Sequence, residues 1–171
     1  MKKPSRRKST IAAWAGPEGR NETERRFLTR LHARTTPLYI DVWVDRPQLV
    51  TSVDVSDRAH PSVLRTLRVD FDGAHLWGGE DPTKQLVGEL DPTRPDSFER
   101  SDAALPEAYA EIAASFFLDQ LKRPIDREEW KVGKTVLCRW TLADVGRGLV
   151  STLGIPKRPP DRVIRVRPDR Q

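Results

Sequence analysis

The sequence predicts an α+β domain, an antiparallel sheet of four to six strands packed by one helix at about 22–34 and another at about 106–122. Three observations carry that prediction. Two stretches repeat apolar residues at helical spacing, and the segments around them alternate with the period of two that strands require. Between two alternating runs, Asp72-Gly73 signals a hairpin over 65–78.

The first helix is signalled by Asn21, an N-cap type with Glu24 as capping partner, and by Phe27, Leu28 and Leu31 on one face. Pro37 ends it, because the residue before a proline disfavours helix. From Leu38 the period becomes two: Leu38, Ile40, Val42 and Val44 point one way, Tyr39, Asp41, Trp43 and Asp45 the other. Arg46-Pro47 turns the chain into a second strand at 49–55. In LRVDFDGAHLW a two-residue type I′ turn pairs Phe71 with Ala74, Asp70 with His75, Val69 with Leu76 and Arg68 with Trp77, placing Phe71, Val69, Ala74 and Leu76 on the core side.

Residues 78–104, rich in Gly, Pro and Asp, predict a long acidic surface loop. Pro106 suits the first turn of the second helix, whose Tyr109, Ile112, Ala113, Phe116, Phe117 and Leu121 form the apolar face, with Lys122 and Arg123 favourable at its end. DREEW reads as a short turn. A strand near 134–142 follows, with Val136, Cys138, Trp140 and Leu142 on one side, and RVIRV reads as an edge strand.

At 171 residues the chain fits one domain, assigned to 20–155 between basic tails at 1–19 and 156–171. The net charge of +5 is unevenly spread. Residues 36–121 hold seven bases against sixteen acids, while the first ten residues hold five bases and no acid, so an acidic middle lies between basic ends. Cys138 is the one cysteine, which rules out an internal disulfide and points to a cytoplasmic protein. No apolar run approaches the roughly 18–20 residues of a membrane span.

The search for chemistry assigns no catalytic residue, no metal and no cofactor, so an enzyme is not the favoured reading. Asp70 and Asp72 have the spacing by which nucleotidyltransferases hold a divalent metal, but the Gly-Ser helix start of those enzymes is missing and the turn explains Asp72. Glu80, Asp81, Glu128 and Glu129 read as solvated carboxylates, since only burial or close pairing would prepare them for acid or base work. His32, His60 and His75 share no metal-ligand spacing, and Cys138 reads as a buried, inert thiol.

What remains is recognition. Tyr39, Trp43 and Trp77, among Asp41, Asp45, Glu80 and Asp81, make a candidate surface for a basic protein partner: aromatic anchors in an attracting field. The stretch from FDGAHLWGGEDP through the second helix to RPIDREEW resembles α+β immunity proteins of polymorphic toxin systems, which implies a non-enzymatic protein that docks a basic nuclease or deaminase toxin. No residue role is carried over from that resemblance. The alternative is a nucleic-acid-binding protein that grips phosphate with its tails, or with a degenerate helix-turn-helix at 141–165 using Lys157, Arg158, Arg162 and Arg165. Gly146, Gly148 and Pro159-Pro160 weaken both of its helices.

Overall fold

The computed structural model describes residues 19, 21–36, 38, 40–45, 48–86, 88–166 and 168–170. Nearly all of the expected N-terminal tail lies outside them. Two helices and two antiparallel sheets make up the α+β fold.

Helix α1 (Glu22–Thr35) starts where the cap signal places it, with the Asn21 side chain accepting from the Glu24 N–H. Helix α2 (Pro106–Lys122) opens on its proline and packs against α1. Arg26 pairs with Glu107 across the helix pair, and Arg30 and Arg34 both reach Glu111.

Beneath the helices lies the large sheet, in the order β1 (Asp41–Asp45), β2 (Gln48–Asp57), β3 (His60–Phe71), β4 (Leu76–Glu80), β5 (Phe98–Arg100), with β10 (Pro168–Arg170) paired to β2. Its helix-facing side buries Leu49, Val53, Leu67, Val69, Phe71 and Leu76. Phe71 stacks on Phe27 at 4.4 Å between ring centroids and touches Tyr109 at 5.6 Å, so one aromatic ties both helices to the sheet. Gly78 admits the Phe98 ring, which would lie 2.1 Å from a Cβ at that position.

The Asp72-Gly73 hairpin exists, but its register differs from the expected one. Phe71 pairs with Leu76 and Asp70 with Trp77, leaving a four-residue connection at 72–75. The Asp72 carboxylate causes this by accepting the N–H groups of both Ala74 and His75, which closes a wider turn than two residues allow. Because the slip is an even number of residues, Phe71, Val69 and Leu76 still face the core, and only Ala74 is lost to the surface. Arg68 pairs with Asp70 on its own strand rather than with Trp77.

The second half departs further from expectation. The DREEW turn is the middle of β6 (Ile125–Val132), an inner strand of a small sheet ordered β8 (Arg147–Ser151), β7 (Thr135–Leu142), β6, β9 (Arg162–Val166). The helix-turn-helix of the alternative reading, at 141–165, is instead the end of β7, a turn at Gly146 with φ +65°, β8, a loop and β9. Gly146, Gly148 and Pro159-Pro160 prevail over its helical spacing. RVIRV is the edge strand, so the segment set apart as a basic tail contributes β9 to the small sheet and β10 to the large one. Among the described residues no helix is long and apolar enough to cross a membrane.

Candidate functional site

Register first brings the chemistry-bearing residues of the large sheet together. The backbone pairing lines up Val50, Asp70, Trp77 and Glu99 in one row across four strands, on the side away from the helices. Residues 88–92 of the loop that follows β4 fold over this side. Asp81, 1% exposed, holds the start of that loop by accepting the N–H groups of Thr83 and Leu86 and the Thr83 hydroxyl. Lys84 and Leu86 take positive φ of 56° and 61°, a left-handed backbone that side chains resist, and these bonds keep them there. Arg68 completes the clamp by donating to the carbonyls of Leu86 and Gly88 while paired with Asp70.

Between loop and sheet opens a cleft of about 300 Å³ lined by Gln48, Asp70, Trp77, Glu89, Leu90 and Glu99. Trp77 is half-buried and stacks on His75 with ring centroids 5.4 Å apart. Asp70 is neutralised by Arg68, but among the described residues neither Glu89 nor Glu99 has a cationic partner. The cleft therefore offers an aromatic face beside two carboxylates, a match for a lysine or arginine side chain.

The expected partner residues divide around this cleft. Trp77 lines it. Tyr39 lies outside the described residues, as do the side chains of Trp43 and Asp45; Asp41 is half-buried on the edge strand β1. Glu80 and Asp81 are not solvated acids. Glu80 pairs with Arg65, whose side chain is 1% exposed, and with Arg147 of the small sheet, while Asp81 serves the loop. Glu89 and Glu99 were missed, because nothing in the sequence tells which acids of a long loop return to the sheet.

A second assembly lies where the tip of the β2–β3 hairpin meets the inner face of the small sheet. Arg127 donates to Asp57 and Glu129, and the Trp140 indole donates to the same Asp57 carboxylate at 2.9 Å. Burial pushes the Asp57 carboxyl up, but these donors and the Ala59 N–H outweigh it and hold it below the usual carboxylate range. Beside them, one donor atom each from His60, Glu129 and Cys138 lies within 4.8 Å of the others. Burial and the neighbouring Glu129 raise the Cys138 thiol above its ordinary value, as expected of a thiol 1% exposed. The three residues come from three strands, so no spacing in the chain announces them. One signal was available: Gly133, with φ +62°, makes a two-residue turn that fixes Glu129 opposite Cys138.

The cations of the alternative reading are strand and loop residues. Arg165 pairs with Asp126, and Lys157 is exposed in the loop before β9. Arg158 pairs with Asp161, and that guanidinium with the Lys131 N–H draws the Asp161 carboxyl down to about 2. Arg158 and Arg162 line a wider cleft of about 550 Å³ with Glu129, Lys131 and Asp161, so acids interrupt the cationic lining.

No protein-family model matches this chain, and neither a curated protein nor a solved structure matches it.

Proposed function

We propose that this protein is a non-enzymatic binding module that engages a basic protein partner through the cleft at Trp77. The observation that carries the reading is an aromatic face flanked by Glu89 and Glu99, two carboxylates without cationic partners among the described residues. A lysine or arginine laid over Trp77 would gain roughly 0.5–2 kcal/mol from the ring, in a cleft that Glu89 and Glu99 also line. Arg68 and Asp81 support the arrangement by fixing the loop that carries Glu89, which lowers the ordering cost of binding. A basic, nucleic-acid-acting toxin is one partner of this chemistry, and the resemblance to immunity proteins points the same way.

Affinity capture from cells, at low and high salt, tests the reading with wild type and Trp77→Ala/Glu99→Gln side by side. A basic protein retained by the first and lost by the second, with the circular dichroism of both alike, is the expected result. Equal retention by both would overturn it.

A further inference from the structure

The polar cluster between the sheets is a second site, independent of the cleft at Trp77. We propose that His60, Glu129 and Cys138 bind a divalent transition-metal ion of the Zn²⁺ class, with the fourth coordination position open to solvent or a small ligand.

Three features carry this. The donors are one imidazole nitrogen, one carboxylate oxygen and one sulfur within 4.8 Å of one another. Tetrahedral Zn²⁺, with bonds of about 2.0–2.3 Å, needs donors about 3.4–3.8 Å apart, which small side-chain rotations supply. The donors are also uncommitted. Among the described residues no hydrogen bond engages the His60 ring or the Cys138 sulfur, and Glu129 uses Oε1 for Arg127, leaving Oε2. A mixed S, N, O set selects a borderline metal over Mg²⁺ or Ca²⁺, which favour oxygen.

The surroundings are built to hold such a site. Cys138 is fixed by the Thr152 hydroxyl on its N–H and the Thr152 N–H on its carbonyl, and the His60 ring stands edge-on to Trp140 at 5.3 Å. Arg127 orients Glu129 from behind, the outer-shell support that metal ligands receive. Charge agrees as well: Arg127 offsets Asp57, and a divalent ion offsets the Glu129 carboxylate together with a Cys138 thiolate. His60 and Glu129 are half-buried, and Glu129 also lines the 550 Å³ cleft, so an ion has a way in.

Titrating Co²⁺ into the reduced, untagged full chain tests this. Saturation at one ion per chain is expected, with a sulfur-to-cobalt charge-transfer band, the visible bands of tetrahedral Co²⁺, and displacement by Zn²⁺. Cys138→Ser should abolish the charge-transfer band and His60→Ala should weaken binding at least tenfold, since even outer-shell losses cost roughly 10–100-fold. His32→Ala, on α1, should change neither. Absence of saturable uptake by the wild type overturns the proposal, as does uptake that C138S and H60A leave unaltered.

Discussion

Beneath the helices, Phe71 is clasped between Phe27 and Tyr109 in a layer of Leu, Val and Phe side chains. Where the two sheets meet, buried ion pairs stand beside the apolar side chains: Arg127 spans Asp57 and Glu129, and Glu80 joins Arg65 of the large sheet to Arg147 of the small one. The difference teaches how each half withstands change. The apolar layer gains from area removed from water, which is non-directional and spread over many residues. The seam depends on each charge keeping its partner, because a buried ion left alone costs more than the pair contributed.

The comparison breaks first at Phe71. Phe71→Ala removes the ring shared by both helices and should cost about 3–5 kcal/mol in denaturant unfolding, monitored by circular dichroism. Glu80→Ala should cost about 3 kcal/mol, by leaving the buried Arg65 charge with Gln120 but without its counter-ion; burial already pushes this guanidinium below its ordinary pKa against the pull of Glu80. The sharper test is the pair Arg65→Met/Glu80→Leu. If the seam works as described, the double variant recovers most of the loss, because apolar side chains of similar volume replace a buried ion pair well. Should it prove as unstable as Glu80→Ala alone, the ionic account of the seam fails.

Gly78→Ala follows in size. The added methyl meets the Phe98 ring, itself edge-on to Phe116, and must displace it, at about 1–3 kcal/mol for an overpacked site. A matching Phe98→Leu change should relieve the strain, and a thermal melt of each variant would show it.

The same contrast explains what the sequence made legible. Both helices and the core face of β3 follow from periodicity, since apolar spacing reports which side is buried, and the cap at Asn21 follows from its residue type. Strand β6 escaped because both of its faces are charged: Asp126 and Glu128 pair outward with Arg165 and Arg139, while Arg127 and Glu129 turn inward to the seam. Without apolar alternation, an inner strand looks like a turn. The His60, Glu129 and Cys138 cluster and the carboxylates around Trp77 were hidden for a related reason. They are joined by sheet pairing and loop return over long stretches of chain, and a lone sequence carries no signal of that kind beyond the turns that set register. Where one such turn was read, at Asp72-Gly73, the residue type was right and the loop length was not.

That turn supplies the smallest effect and the cleanest sign. Partial burial pushes the Asp72 carboxyl up, but the N–H groups of Ala74 and His75 and the His75 ring outweigh it and hold it below the usual carboxylate range. A carboxylate whose folded pKa is depressed lends stability that is fully present above its unfolded value of about 3.9, and that stability disappears as pH falls through the folded value. Asp72→Asn keeps an oxygen to accept both N–H groups and discards only the charge. Wild type should therefore exceed the variant by about 0.5 kcal/mol or less at neutral pH, in keeping with a part-exposed charge. The gap should close as the solution is acidified from pH 4 downward. Parallel denaturant curves from pH 7 to pH 2 measure it; a gap that stays constant would mean that the turn is held by geometry alone, without the charge on Asp72.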